Sequence, residues 1–425
     1  LQIEFIIFVS MVVVFMAGAF FFKLPVSISM VLASIAGALV GGHGIPIRQL
    51  VEGTFGYIDT ILVIATAMIF MRVIQESGAL HALNELIIRK FHRRKVVLLI
   101  LLMLIIMFPG MITGSSTAAV LSAGALIAPV FMAMGIPREI TGAIIAIGAI
   151  LGMIAPPVNV PAMIIGGGID LPYVGFTVPL LLLTIPLAIF TVLFLGLKYV
   201  KDFDYEKSIE SGEFSITSDH EGFKIYIPII LVLILMITSK LLPHIVPDLG
   251  MPLIFIIGGI VGLFTGKKVN IVETIKEAIN STLPVLGILM GVGMFIQIMT
   301  LTGVRGFIVI NALSLPSILL YISIAVAMPA FGAVSSFGSA SVLGVPFVLA
   351  LLGQNEIVTA SALSLIAGLG DLVPPTALAG IFAAQVVGEE NYVKVLKGCL
   401  VPAVAILIYG LIFVIFAKPI ASIIF

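Results

Sequence analysis

Apolar runs follow one another along almost the whole chain. They lie near 3–22, 26–42, 57–75, 96–110, 115–135, 139–155 and 174–199, then near 225–241, 251–266, 283–300, 316–331, 339–353, 357–372 and 398–417. About 20 apolar helical residues cross a bilayer, and in lipid the backbone must satisfy its own polar groups. The fold class that follows is an all-α polytopic membrane protein. Composition agrees, because 61% of the 425 residues are hydrophobic and only 10% are charged, against about 25% charged in a soluble domain. The net charge of zero gives no reason to expect a nucleic-acid partner. The single cysteine, Cys399, excludes a disulfide framework or a cysteine metal cluster and reads as a small packing residue. The first run, Ile3 to Phe22, is too long for a signal-peptide core and lacks a small-residue cleavage site, so it reads as a retained first helix.

The only long polar segment, Lys201 to Lys224, falls near the middle and reads as a linker (201–224) between residues 1–200 and 225–425. The flanking halves match. Gly37, Gly41, Phe70 and Gly78 recur at one constant offset as Gly262, Gly266, Phe295 and Gly303. Gly135, Gly152 and the pair Pro156-Pro157 recur at a slightly shorter offset as Gly353, Gly370 and Pro374-Pro375. Glycine is frequent here, but a proline pair deep in an apolar run is costly, at about 3 kcal/mol or more per proline in a helix. Two such pairs, each preceded by Gly at the same distance, mark an internal repeat.

Charge decides the relative orientation of the halves, because cytoplasmic loops carry excess Lys and Arg. Threading outward from RKFHRRK (Arg89 to Lys95) as a cytoplasmic anchor puts the N-terminus outside. Of 21 Lys and Arg, all but Arg48, Lys240, Arg305 and Lys418 then fall inside. The second half's equivalent of that basic cluster, VRGFIVIN, has a single basic residue. The halves are therefore expected to be two inverted-topology repeats. In the first, a re-entrant hairpin (about 96–137) enters from inside and is followed by a Pro-broken helix (about 139–168). In the second, a hairpin (about 316–353) enters from outside and precedes a broken helix (about 357–382).

The hairpin tips carry the polar chemistry. The first reads Gly110-Met-Ile-Thr113-Gly114-Ser115-Ser116-Thr117-Ala118, and the second Gly332-Ala-Val-Ser335-Ser336-Phe-Gly338-Ser339-Ala340-Ser341. Non-helical backbone at membrane depth is tolerated where it is buried in protein or lines a cavity. Small hydroxyl residues there offer oxygens to a hard cation such as Na⁺, and the helix that starts after the break points its positive end at an anion. The competing reading is a small-residue packing interface. The proline pairs break the next helix of each half, freeing carbonyls for a cation at Pro156 and Pro374, while Asn159 and Thr376 could bond a substrate. A purely mechanical kink is the alternative. Asp371, a carboxylate in an apolar run, could bind a cation or carry a proton, or it could cap a helix or border a water-filled cavity. Asp59, Arg72 and Glu76 lie near helix ends and read as interfacial. No Arg is expected deep near either tip, and no His or Lys at membrane depth. An intramembrane serine protease therefore lacks a general base, and no P-loop supports an ATPase.

The Leu24-Pro25 turn, the TGSS tip at 113–116, the Gly-Ile-Pro turn at 135–137 and both proline pairs resemble the large membrane subunit of the tripartite ATP-independent periplasmic (TRAP) transporters, over nearly the whole chain. The resemblance implies an elevator-type carrier in the inner membrane of a bacterial or archaeal cell, with a transport domain that holds both hairpins and slides against a scaffold. It implies two partners, a small four-helix membrane subunit and a periplasmic substrate-binding protein. Na⁺ would drive uptake of a small organic acid, a C4-dicarboxylate or similar carboxylate. Substrate contacts would come from Thr113, Ser115, Ser116, Asn159, Ser336, Ser339 and Thr376, and Na⁺ contacts from Gly114, Ser116, Thr117, Pro156, Ser335, Gly338, Asp371 and Pro374. The long helices flanking RKFHRRK would belong to the scaffold and its arm. The chain departs from the family at Val158, where Ser is usual, at Val373, where Thr is usual, and at Asp371, which is not expected there. The alternative is a stand-alone Na⁺- or H⁺-coupled symporter of the same superfamily.

Overall fold

A computed structural model describes residues 3–200, 222–241, 247, 249–313, 316–351, 353–374 and 377–425. Among the described residues there are helices and turns but no strands, and seven helices are long and apolar enough to cross a membrane. Their exposed sides carry residues such as Leu62, Phe194 and Ile408, as expected of surfaces that meet lipid. Of the linker expected at 201–224, residues 201–221 lie outside the described residues. Its end forms the short helix Phe223–Tyr226, which leads into Ile227–Leu241.

The order of elements repeats. Ile3–Met16, Val26–Val40, Ile58–Glu76 and Ala79–Phe91 are matched in the second half by Ile227–Leu241, Gly250–Gly262, Ile271–Leu301 and Val304–Leu313. Each half then has a hairpin (Lys95–Thr113 with Ser116–Ala133; Ser317–Gly332 with Ser336–Ala350). A broken helix follows (Arg138–Ile154 and Val160–Gly168; Glu356–Gly368 and Leu378–Val387), and then a long helix (Thr177–Gly196; Tyr392–Ile415). Two differences from the sequence reading stand out. The first half has an additional short amphipathic helix, Ile47–Phe55, too polar to register as an apolar run. Its counterpart is fused to the next helix, so Ile271–Leu301 runs unbroken through Pro284.

Packing sorts these elements into two bodies. The helices between Ile3 and Glu76 pack with those between Ile227 and Leu301, while the hairpins and broken helices pack with Thr177–Gly196 and Tyr392–Ile415. Ala79–Phe91 and Val304–Leu313 bridge the bodies, each entered through a left-handed glycine, Gly78 at φ 85° and Gly303 at φ 75°. That conformation, which only glycine adopts without penalty, explains why these two glycines recur. Of the helices flanking RKFHRRK, only Ala79–Phe91 is such a bridge. Lys95–Thr113 is the hairpin's own first arm and packs along Arg138–Ile154, so the assignment of both to scaffold and arm is corrected.

The glycines before the proline pairs also have a spatial reason. A Cβ on Gly152 would lie 2.4 Å from the Met107 carbonyl oxygen, and one on Gly370 would lie 2.4 Å from the Gly332 backbone. In both halves the broken helix crosses the hairpin's first arm backbone to backbone. On another face, scaffold side chains tie the two bodies together. The Tyr57 hydroxyl donates to the Ile164 carbonyl at 2.8 Å, and the Arg305 guanidinium donates to the Gly168 carbonyl at 2.6 Å. Both acceptors belong to Val160–Gly168, and the Gly168 carbonyl is at its C-terminal end, where carbonyls lack intrahelical partners and positive charge is favourable.

These crossings are directly testable. Gly152→Ala and Gly370→Ala should each destabilise the protein by about 1–3 kcal/mol, the usual cost of overpacking, seen as a lower midpoint of thermal unfolding in detergent. Gly353→Ala, where an added Cβ meets nothing within 4 Å, should leave the midpoint unchanged.

Candidate functional site: the cavity at the two hairpin tips

The two tips are built alike. Ser115 and Ser335 take extended backbone at the break, and each accepts a 3.2 Å bond from the amide three residues on, Ala118 N–H and Gly338 N–H. They are the N-caps that small hydroxyl residues favour. Each second arm then passes through one π turn at the matching place, Val120–Gly124 and Ala340–Gly344, a distortion frequent near functional sites. Proline recurs here too. Pro109 and Pro329 lie inside the first arms, just before the tips, a further repeat signal open to reading in the sequence.

The tips meet at Asp371. The carboxylate sits on a short 3₁₀ turn, Leu369–Leu372, that extends Glu356–Gly368 to the second break, and it is 6% exposed. Ser116 of the first tip donates to its Oδ2 at 2.5 Å, and the second tip, with Ser336, packs against the same turn and lines the same cavity. Residues far apart in sequence, from opposite halves, thus come together at one carboxylate.

Around this junction lies a cavity of about 800 Å³ between the two bodies. The hairpin body supplies Thr113, Ser115, Ser116, Thr117, Ser122, Ser335, Ser336 and Asp371; the opposite wall supplies Arg72, Gln75, His81 and Ser281. Arg72, read as interfacial, lines the same cavity as the tips, and so does His81, which the sequence reading did not connect with them. Their positions near helix ends concealed this, because only packing lays the last turn of Ile58–Glu76 over the hairpins. Arg72 is paired with Glu277, lies 3.7 Å from Glu76 and donates to Gln75 at 3.4 Å. Its Nε is buried without a partner.

The remaining candidates have other duties. Asn159 does not line the cavity. It caps Val160–Gly168, accepting from Ala162 N–H, and its amide donates to the Ile154 carbonyl at 2.8 Å and to Ser364 Oγ at 2.9 Å. Its side chain thus closes the first helix break and ties it to the second broken helix, which leaves no amide proton for a substrate. Ser339 is fully buried and donates to the Met328 carbonyl, joining the hairpin arms. Gly114 is the left-handed residue that ends the first arm, and an added Cβ there would lie 2.4 Å from Val160. Gly114, Pro156, Gly338 and Pro374 do not line the cavity; Thr376 lies outside the described residues. At the first break Val158 N–H donates to the Met111 carbonyl, so the position where the family usually carries Ser anchors the hairpin through its backbone.

Two repeats, paired hairpins and a cavity with hydroxyl residues and a carboxylate in its wall describe a multi-pass membrane carrier. Residues 10–420 match the family described as the tripartite ATP-independent periplasmic transporter, DctM component, and the chain belongs to that family. It is accordingly the large component of a tripartite transporter, which implies further subunits. Its fold is similar to the crystal structure of the Alcanivorax borkumensis YdaH transporter, reported as having an unusual topology. The TM-score is 0.62 at 15% identity, with 87% of each chain covered. No curated protein sequence matches the chain.

The capping role of Asn159 predicts a stability defect. Asn159→Ala removes a buried N-cap and leaves the Ile154 carbonyl and Ser364 hydroxyl short of a partner, at about 1–3 kcal/mol. Thermal unfolding of the purified variant should show a lowered midpoint, and raising substrate concentration should not restore uptake at the temperature where it unfolds.

Proposed function

We propose that the chain carries a small carboxylate inward across a prokaryotic inner membrane by Na⁺-coupled secondary transport. In this reading it works with a small four-helix membrane subunit and a periplasmic substrate-binding protein. One observation carries the reading: both hairpin tips open onto one cavity between two separately packed bodies. A carrier must expose one site alternately to the two sides, and a site at the boundary of two bodies permits this when one slides against the other. The body that holds both hairpins would be the one that moves.

The donor set suits the proposed coupling ion. Thr113, Ser115, Ser116, Thr117, Ser335 and Ser336 line the cavity with hydroxyl oxygens, and hard cations take oxygen ligands. The capping oxygens Ser115 Oγ and Ser335 Oγ each keep a lone pair beyond the one that receives the amide. Bound Na⁺ would supply positive charge beside the substrate; the chain's residues would orient both and exclude water. On the opposite wall, Arg72 offers a guanidinium suited to a carboxylate.

Uptake of radiolabelled organic acids into proteoliposomes, with and without an inward Na⁺ gradient and with and without the binding protein, tests this. Na⁺-driven uptake that needs the binding protein is expected. Ser116→Ala should lower the rate by about tenfold or more, since it removes a bond to a carboxylate. Uptake without the binding protein, or driven by a pH gradient alone, would instead make the chain a stand-alone symporter. No uptake of any acid would sink the proposal.

A further inference from the structure

Asp371 stands in the site without a counter-charge. It is 6% exposed and lines the cavity, its hydrogen bond comes from a neutral hydroxyl, Ser116, and the neutral Ser336 lines the cavity with it. Every other residue that the hairpin body contributes to the cavity is uncharged: Thr, Ser, Ala, Leu, Met, Val and Phe side chains. The basic groups of the cavity lie outside the hairpin body and are engaged there, Arg72 of the scaffold with Glu277 and Glu76, and His81 of the bridging helix Ala79–Phe91 facing Glu85 at 3.7 Å. Among the described residues, Asp371 has no ion-pair partner of its own.

A buried charge is tolerated when it is paired as well as hydrogen-bonded. The Ser116 hydroxyl occupies part of the carboxylate's capacity, which is about four lone-pair sites. The rest faces a cavity large enough for a small organic molecule. A substrate carboxylate placed against Asp371 would meet like charge in a water-poor site. An ammonium group would complete the site, donating to the remaining lone pairs and neutralising the charge as the pair crosses the membrane. The facing wall offers the reverse. Arg72 lines the cavity and its buried Nε has no partner, whereas Glu277 and Glu76, which pair with it, do not line the cavity.

We propose that the site takes a small zwitterion, an amino acid or a molecule of the same charge pattern, with its ammonium group at Asp371 between the two tips and its carboxylate toward Arg72. This rests on the carrier reading above and narrows it. The substrate keeps the carboxylate and gains a cationic centre, and Asp371, a residue the family does not lead one to expect, becomes the specificity determinant. Na⁺ is left to the hydroxyl oxygens of the tips.

The test uses matched pairs that differ by one amino group: aspartate with succinate, and alanine with propionate. The full chain, purified in lipid nanodiscs, is titrated with each compound while the thermal unfolding midpoint is followed, since a ligand that binds only the folded state raises it. The wild type should be stabilised by the amino member of a pair and not by its partner. Asp371→Asn, which keeps the shape and removes the charge, should still fold and should require about tenfold or more of the amino compound for the same shift, the loss expected of one partner in a buried charge pair. Arg72→Gln should weaken binding of the amino compound too.

Uptake is then measured for the same pairs. Equal or greater preference for succinate and propionate, or an unchanged preference in Asp371→Asn, overturns the zwitterion proposal and leaves the carboxylate carrier standing. Loss of Na⁺ stabilisation in Asp371→Asn with the carboxylate preference intact also overturns it, by making Asp371 a ligand of the ion. Absence of binding and uptake for both members of every pair removes the carrier reading along with it.

Discussion

A polypeptide in a bilayer has to satisfy its own backbone polar groups, and this chain interrupts its helices at two hairpin tips and two proline pairs. Everything else in the fold follows from how those interruptions are closed. Ser115 and Ser335 cap the helices that leave the tips, and Asn159 caps the one that leaves the first proline pair. Val158 hands its amide to the hairpin at Met111. Each closure needs protein on all sides. The broken segments therefore lie inside a body walled by the long helices Thr177–Gly196 and Tyr392–Ile415, which pack against them.

Close approach makes those closures reachable. Where Gly152 crosses the first arm near Met107, and Gly370 crosses near Gly332, no side chain separates the backbones. The second crossing sets Asp371, one residue further on, beside both tips. The same geometry that seals the broken backbone thus delivers a carboxylate to the Ser116 hydroxyl and to the second tip. Structural closure and site construction are one arrangement, so Gly370 matters to the chemistry without touching it.

The repeat is faithful in the hairpin body and looser in the scaffold. The tips match down to their caps and π turns, whereas Ile47–Phe55 is a separate helix in one half and part of Ile271–Leu301 in the other. The contacts between bodies are also unequal. Tyr57 and Arg305 bind carbonyls of Val160–Gly168, while Leu80, at the place in the first half that corresponds to Arg305, lines the cavity. One face of the boundary is thereby tied and the other lines the cavity.

Much of this architecture was legible in the residues themselves. Apolar runs determined the class, and the recurring Gly and Pro-Pro spacings revealed the repeat, because glycine and proline are used where backbone geometry leaves little choice. The tips were legible for the same reason: hydroxyl residues beside glycine at membrane depth have few other uses. Tertiary structure alone decided what those residues face. It spent Asn159 and Ser339 on holding the fold, brought Arg72 and His81 from the ends of scaffold elements to the cavity wall, and set Asp371 between two serines from opposite halves. Sequence records what each segment must do with its own backbone. Which side chains share a cavity depends on how distant segments pack, and no local pattern encodes that.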